Sequence, residues 1–270
     1  MEFDRSKHPS IRRALKGLRI ERPSEHRHKR PIAREIMELF HDHTLRDNSF
    51  TSHLFRAVFS IAFFSLLRPT ELSHGDTHHA ILNRMLQFTL GKPPSNEIVE
   101  VVITISSDKA ESKVSKANQT GARFEQTAAK CNCADSLRIW CPVHTLLQYL
   151  CLRTKRFGRR GPKEPVFWNR LGRPLQYDAY RKQLNRLIDT VNRRSRFTLD
   201  PKYYTPHCFR SGGCTEMARQ RLPASVIKKL GRWKSETWNQ FYFSLNFIDV
   251  SIISGTPICD LLSAFRMVDF

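Results

Sequence analysis

The sequence predicts an α+β domain that is mainly α-helical and carries a small antiparallel sheet. Apolar residues recur at helical spacing in several segments, and the most hydrophobic of these is 54–66. A strand is clearly indicated by the β-branched run at 99–105. The polar, Lys-rich residues 106–121 then predict a turn region, followed by a second strand near 122–127.

Four longer helices are predicted from apolar stripes that repeat every three to four residues. Pro31 is suited to open the first helix because proline is favoured in the first helical turn. Pro69 ends or kinks the second helix, and Pro142 begins the third. The predicted spans are 31–40, 54–66, 142–152 and 177–191.

Two shorter helices are predicted in the last third of the chain. Ser211 is a candidate N-cap for a helix through Arg219, because a serine hydroxyl accepts hydrogen bonds from the first free N–H groups. Pro223 opens the next helix, and Gly231 is expected to stop it at the C′ position. An aromatic cluster follows at 233–243.

The charge of the chain predicts a polyanionic partner. Among 270 residues, 45 Lys and Arg face 25 Asp and Glu, which gives a formal net charge of +20. The excess is concentrated in the segments 1–34 and 153–196. Because each cation that contacts a phosphate releases condensed counterions, two such basic blocks favour a nucleic acid as the partner.

Several other classes of protein are disfavoured by composition. The sequence has no run of about 18 apolar residues and no signal-peptide pattern at its start, so no membrane association is expected. Seven cysteines without a Cys-x-x-Cys pair indicate reduced thiols in a cytosolic or nuclear protein.

No metal or other cofactor is predicted. The sequence lacks a Gly-rich phosphate loop, a His-Glu-x-x-His pair and an acidic cluster for Mg²⁺. Cys131, Cys133, Cys141 and His144 suggest zinc, but their spacing is not that of a standard finger. Since Cys141 is also explained as the start of a helix, the set is not predicted as a site.

Four cationic or aromatic residues and one phenol, all close to predicted turns, are the candidates for chemistry. Arg68 precedes a helix-breaking proline, His207 and Arg210 are three positions apart, and Trp233 and Tyr242 follow. Two arginines that each donate two hydrogen bonds to the oxygens of the same phosphate, with a histidine beside them, would stabilise a pentacoordinate phosphorane without a metal. Tyr242 would then be the nucleophile.

The same residues resemble a known family. His-Cys-Phe-Arg-Ser-Gly-Gly-Cys-Thr at 207–215, Leu-Gly-Arg-Trp-Lys-Ser at 230–235 and Tyr242 resemble the second signature box of the tyrosine recombinases. The intervals of 3, 23 and 9 positions between His, Arg, Trp and Tyr are the intervals that family uses. In motif style the sequence is most similar to the eukaryotic Crypton and DIRS-type transposon recombinases.

Leu-Leu-Arg-Pro-Thr-Glu-Leu at 66–72 is similar to the first box of that family. The resemblance implies that Arg68 clamps the phosphate and that the Glu71 carboxylate buttresses it. It further implies the tyrosine-recombinase catalytic fold and a DNA breaking-rejoining reaction through a 3′-phosphotyrosyl intermediate, without metal or ATP.

The resemblance also assigns the individual roles. Tyr242 attacks the phosphate while Arg68 and Arg210 hold its non-bridging oxygens. His207 deprotonates or orients the phenol, and Trp233 donates its indole N–H where other members use histidine.

A lysine of the family protonates the leaving 5′-oxygen from the turn of a β-hairpin. Ser-Lys-Ala-Asn-Gln-x-Gly at 115–121 is similar to that turn and favours Lys116. Lys109 is the second candidate, and Lys113 lies between them.

The expected organisation is a basic arm at 1–30 that is a remnant of a core-binding domain, a catalytic domain at 31–243 and a tail at 244–270. A homo-oligomer on DNA, from dimer to tetramer, a mobile-element origin and a nuclear location are expected. The alternative function is a catalytically inactive, DNA-binding regulatory protein that keeps the fold. Relaxation of supercoils by the same chemistry is a more distant option.

Overall fold

A helical domain with one small sheet forms from the residues that the computed structural model describes, which are 29–44, 47–74, 80–92, 97–106, 124–133, 140–196 and 198–233. Within them the helices are α1 (Arg34–Thr44), α2 (Phe50–Phe64), α3 (Pro69–Leu72), α4 (Pro142–Phe157), α5 (Tyr177–Arg194), α6 (His207–Arg219) and α7 (Ala224–Leu230). The strands are β1 (Leu86–Leu90), β2 (Ile98–Ser106) and β3 (Phe124–Lys130). The predicted fold class, mainly helical with a small antiparallel sheet, is confirmed.

Helix α2 is the centre of the core. Ser49 caps it by accepting a hydrogen bond from the Ser52 N–H at 3.1 Å. Ten of its fifteen residues are buried, because α4 and α6 pack against different sides of it. The Phe59 ring stacks on Phe209 of α6 with centroids 4.7 Å apart. A helix that is apolar on nearly every side therefore holds the other helices in place.

The sheet lies against the end of α2. Strand β2 pairs with both neighbours in antiparallel register, with Ile103 opposite Thr127. Val101, Ile103 and Ile105 alternate towards the core and are buried. The Thr127 hydroxyl donates to the Ser65 carbonyl at 2.9 Å, so β3 is tied to the point where α2 ends.

Two features of the sheet differ from the prediction. Strand β1 was not predicted, because it is an edge strand whose residues are only half-buried or exposed, and Leu90 keeps 59% of its surface accessible. Strand β3 covers 124–130 rather than 122–127. Its last residues include Ala128 and Ala129, which are poor strand formers and are held there by pairing with Val102 and Val101.

The prediction that Ser211 caps a helix is wrong. Helix α6 begins five residues earlier than that cap implies, at His207, with Pro206 at the N-cap. Ser211 is buried inside the helix, where its hydroxyl donates to the Cys208 carbonyl at 3.1 Å. Back-bonding of this kind lets serine occupy a helix interior as well as a cap, which a sequence pattern does not distinguish.

Helix ends elsewhere follow the prediction more closely. Pro69 does interrupt the chain after α2, but it also opens the short helix α3. Pro223 is the N-cap of α7, and Gly231 is its C-cap. Gly231 keeps an ordinary φ of −78°, whereas Arg232 takes the left-handed conformation with a φ of +57°. Gly231 is therefore the C-cap rather than the predicted C′ residue, and Arg232 occupies the left-handed C′ position.

Two glycines bring the backbone of α6 very close to its neighbours. A Cβ on Gly212 would lie 1.8 Å from the Ile32 carbonyl oxygen, and a Cβ on Gly213 would lie 2.0 Å from the Phe63 carbonyl oxygen. The Ile32 N–H also donates to the Cys208 carbonyl at 2.9 Å. The Gly-Gly pair therefore lets the first turns of α6 dock against α2 and the segment before α1.

The boundaries at 30 and 243 stay predictions, since most of the arm and all of the tail lie outside the described residues. Among the residues that are described, no helix combines the length and the apolar character needed to cross a bilayer.

Candidate active site

Arg68 lies at the N-cap of α3 and is held by Glu71. The Arg68 N–H donates to Glu71 Oε2 at 2.6 Å, and Arg68 Nη1 donates to Oε1 at 2.9 Å. Glu71 is buried, whereas the Arg68 side chain keeps 32% of its surface exposed. One carboxylate therefore fixes both the backbone and the guanidinium of an arginine that faces solvent.

Arg210 lies in the first turn of α6, and it is 1% exposed. Its Nη1 donates to the Leu66 carbonyl at 2.7 Å, and its Nη2 donates to the Gly231 carbonyl. Leu66 takes a left-handed φ of +50°, a strained conformation for leucine. Arg210 thus joins the turn after α2 to the turn after α7 and brings both predicted boxes together.

Arg232 is a member of the site that sequence reasoning did not single out. It is buried, and its Nη2 donates to Glu71 Oε2 at 2.7 Å while Nε lies 3.7 Å from Glu125 Oε2 on β3. Burial lowers the pKa of this guanidinium, and the Glu71 carboxylate opposes that shift. The sequence feature that could have indicated Arg232 is its position as a cation between Gly231 and Trp233, directly after the predicted end of a helix.

His207 starts α6 at the rim of the site. Although the residue is exposed at the surface, the groups around its imidazole reduce its hydration, and this lowers its pKa to about 4. The cations Arg210 and Arg68 lower the pKa further, while Glu71 opposes them. His207 is therefore neutral at pH 7 and offers a lone pair on its imidazole ring.

Trp233 packs over Arg210. The Arg210 guanidinium carbon lies 4.6 Å from the centre of the Trp233 ring, which is a cation–π distance. Trp233 is half-buried and contacts a small apolar cluster that includes Leu66 and Cys214. A Cβ on Gly231 would lie 1.8 Å from the indole ring, so only glycine leaves room for Trp233 here.

The structure thus brings Arg68, His207, Arg210 and Trp233 together, and their catalytic roles stay predictions. Tyr242 and the three candidate lysines, Lys109, Lys113 and Lys116, lie outside the described residues. The strand ends between which those lysines fall, Ser106 and Phe124, pair with each other. The residue after Phe124 is Glu125, whose carboxylate reaches Arg232.

The balance of charge at this centre favours an anion. Arg68 and Arg232 both donate to the buried carboxylate of Glu71, and Arg210 lies close enough to His207 to lower its pKa. Glu125 approaches Arg232 only from the half-exposed edge. Glu71 neutralises one guanidinium, so a net positive charge stays beside the neutral His207. A phosphate diester carries the charge and the acceptor oxygens that such a centre binds.

The basic block at 153–196 is largely solvent-exposed. Arg153 is the exception, since it is buried and donates from Nη1 to the Val166 carbonyl at 2.5 Å. The exposed cations of the block are Lys155, Arg156, Arg159, Lys163, Arg170, Arg173, Arg181, Lys182, Arg186, Arg193, Arg194 and Arg196.

Comparison with known proteins gives one family match. Residues 143–247 match the model of the phage integrase family. This span includes α4 from its second residue onwards and α5 to α7, with His207, Arg210 and Trp233, and it extends past Tyr242. A comparison with curated protein sequences found no relative.

Solved structures with a similar fold are tyrosine recombinases. XerH site-specific recombinase bound to difH substrate matches with a TM-score of 0.52 and 16% identity, over 83% of this chain and 53% of XerH. XerA recombinase matches with a TM-score of 0.51 and 14% identity, over 88% and 66% of the two chains. The Tn1549 transposon integrase in complex with a circular intermediate DNA matches with a TM-score of 0.50 and 15% identity, over 96% and 76%.

These similarities in structure confirm the fold class that the sequence predicted. The chain has the tyrosine-recombinase catalytic fold. It spans about half the length of XerH.

Proposed function

We propose that this protein is a DNA breaking-rejoining recombinase that acts through a 3′-phosphotyrosyl intermediate. The observation that carries the proposal is the convergence of Arg68 and Arg210, from two sequence-distant turns, beside a neutral His207. Each arginine is fixed by hydrogen bonds before any ligand arrives. Preorganised cations of this kind stabilise the extra negative charge of a phosphorane at little reorganisation cost.

In the proposed reaction the Tyr242 phenol oxygen attacks the scissile phosphorus and forms a P–O bond. Arg68 and Arg210 hold the non-bridging oxygens, and Trp233 donates its indole N–H to one of them. His207, neutral at pH 7, accepts the phenol proton.

The bond between phosphorus and the 5′-oxygen breaks in the same step. The leaving oxygen takes a proton from Lys116, with Lys109 or Lys113 as the alternative donors, and becomes a free 5′-hydroxyl. A 5′-hydroxyl of a second strand then attacks the phosphotyrosyl link and restores the tyrosine. One phosphodiester replaces another, so the reaction consumes neither ATP nor a metal.

The proposed partner is double-stranded DNA, bound by a dimer to a tetramer of this chain. Exposed cations on α5 and the segment before it supply salt-sensitive affinity for the phosphate backbone. A mobile-element origin close to the Crypton and DIRS-type recombinases, and a nuclear location, belong to the same proposal. They are supported by the motif style of 207–215 and 230–235 and by the net charge.

A trapping experiment tests the reaction. Duplexes are drawn from the DNA that flanks the coding sequence and nicked at successive positions, so that the short 5′-hydroxyl fragment diffuses away after cleavage. The wild-type chain is expected to form a covalent protein–DNA adduct that survives denaturation. Tyr242→Phe is expected to abolish the adduct, and Tyr177→Phe, a change at an exposed tyrosine of α5, is expected to keep it.

A second candidate function is favoured by the burial of Arg210. The residue is 1% exposed, and both Nη atoms of its guanidinium donate to backbone carbonyls. A DNA-binding regulatory protein that keeps the fold but does not cleave would use Arg210 in this structural way. Folded protein that binds the duplexes and yields no adduct on any of them would support this second function and contradict the first.

A further inference from the structure

Four potential metal ligands converge beside the sheet, away from the residues proposed for DNA cleavage. Cys131 follows β3 directly, and its N–H still pairs with the Val99 carbonyl at 2.7 Å. Cys133 comes two residues later. Cys141 is the N-cap of α4, and His144 lies in the first turn of that helix.

The distances within this group are close to those of a tetrahedral coordination shell, and the four ligand atoms are near enough to share one ion. His144 Nδ1 lies 3.0 Å from the sulfur of Cys133, 3.4 Å from that of Cys141 and 3.6 Å from that of Cys131. The sulfurs of Cys131 and Cys141 are 3.7 Å apart, and all four ligand atoms lie within 4.8 Å of one another. Zinc bonds of about 2.3 Å to sulfur and about 2.0 Å to nitrogen imply S–S edges of about 3.8 Å and S–N edges of about 3.5 Å.

Neither a disulfide nor a set of hydrogen bonds accounts for this geometry as well as a metal ion does. A disulfide needs its sulfurs about 2.05 Å apart, whereas those of Cys131 and Cys141 are 3.7 Å apart, and all three cysteines are free thiols. If hydrogen bonds alone held the cluster, His144 Nδ1 would have to form hydrogen bonds with three sulfurs at the same time. A neutral imidazole nitrogen has one N–H or one lone pair, so it satisfies only one of the three.

We propose that Cys131, Cys133, Cys141 and His144 bind one Zn²⁺ ion in a closed structural site. Three thiolates and one imidazole are borderline-soft ligands, which favour zinc over the hard cations calcium and magnesium. Four protein ligands leave no open position for water, so the ion stabilises the fold and takes no part in DNA cleavage. Binding displaces the thiol protons into solvent.

The site joins two elements that the backbone connects only through residues 134–140. It fastens the end of β3 to the first turn of α4, and α4 packs on the central helix α2. The four residues suggest zinc from the sequence, but their spacing is not that of a standard finger, so the sequence alone did not predict a site. Here the ligands come from a strand end and a helix start that the tertiary fold brings together.

Metal content is the first test. The full chain is purified with reductant and without chelator, and its zinc is measured by elemental mass spectrometry. We expect one equivalent of zinc per chain, a several-fold loss in Cys133→Ser and no loss in Cys151→Ser. Cys151 is the matched control because it is an exposed cysteine on α4 outside the cluster. Absence of zinc from the wild type, or equal zinc in Cys133→Ser, would overturn the proposal.

Cobalt binding provides a second test, which stays informative even if Cys133→Ser loses zinc only because it fails to fold. Co²⁺ added to chelator-treated full-length protein should give the visible absorption of a tetrahedral, thiolate-ligated ion. His144→Asn should weaken or alter that spectrum, and Cys151→Ser should leave it unchanged. A spectrum of octahedral, oxygen-ligated cobalt, or the same spectrum in His144→Asn, would contradict the assigned ligands.

Discussion

Arg232 Nη2 donates to Glu71 Oε2 at 2.7 Å, and the two side chains are only 2% and 4% exposed. The other oxygen of Glu71 accepts a hydrogen bond from Arg68, at 2.9 Å. Arg232, in the turn after α7, is thereby linked to Arg68 through a shared carboxylate that fixes the orientation of the Arg68 side chain. The two boxes of the proposed recombinase are coupled in the folded protein by this buried pair.

Glu71→Gln should destabilise the protein strongly. Removing the carboxylate takes away the buried counter-ion of the Arg232 guanidinium and leaves only the partly exposed Glu125 carboxylate, 3.7 Å from Nε. We expect a cost of about 3 kcal/mol, because a buried ion pair is broken by loss of one partner. Urea unfolding measures the loss. Glu38→Gln is the control, because the Glu38–Arg34 pair lies at the half-exposed surface of α1, where such a pair contributes less than about 1 kcal/mol.

The double variant Glu71→Gln/Arg232→Met separates the charge effect from loss of packing. We expect it to recover part of the stability lost in Glu71→Gln, since the buried cation that lost its buried partner is then gone. Equal stability of the single and double variants would argue against the ion pair as the cause.

Gly212→Ala should prevent α6 from docking. The new Cβ would lie 1.8 Å from a backbone carbonyl oxygen, which cannot move aside as a flexible side chain could. We expect a loss of about 3 kcal/mol or more in the free energy of unfolding. Gly161→Ala is the matched control, because its nearest neighbour is a Glu164 side-chain carbon at 4.0 Å. A wild-type melting temperature for Gly212→Ala would refute the close approach.

The pH dependence of stability should carry the signature of His207. Its pKa falls from the ordinary value of 6.5 to about 4 on folding, so the unfolded chain takes up the proton first as the pH falls. The free energy of unfolding therefore has its full value, as far as His207 is concerned, above about pH 6.5. It decreases progressively as the pH falls to about 4. Denaturant unfolding of wild type and His207→Gln at several pH values measures this. An identical pH slope in the two proteins would disprove the lowered pKa.

Removing exposed cations from α5 should weaken DNA binding in a salt-dependent way. Lys182→Gln/Arg186→Gln removes two exposed charges of the basic block. If both side chains bind phosphates, the slope of log K against log salt falls by about 0.9 for each phosphate that is no longer neutralised. The exposed Lys92, outside the block, provides the control Lys92→Gln. Unchanged slopes for the α5 variant would remove that helix from the DNA-binding surface.

The sequence predicted the helical class and four of the longer helices, because apolar periodicity reports on them directly. The meeting of Arg68 with Arg210 was implied by the resemblance of 66–72 and 207–215 to the two boxes of one family. Arg232 was not predicted as a member of the site for two reasons. Its partner Glu71 is distant in sequence, and its left-handed backbone conformation is not one that the sequence indicates for arginine. Strand β1 escaped because edge strands bury little apolar surface.

The central claim is that Tyr242 forms a covalent bond to DNA at the centre built by Arg68 and Arg210. The most direct measurement is tandem mass spectrometry of the trapped adduct after digestion with protease and nuclease. We expect a 3′-nucleotide joined through its phosphate to Tyr242, with yields that collapse in Arg68→Ala and Arg210→Ala variants that still fold. A nucleotide on another residue, or folded, DNA-bound protein that never carries one, would contradict the claim.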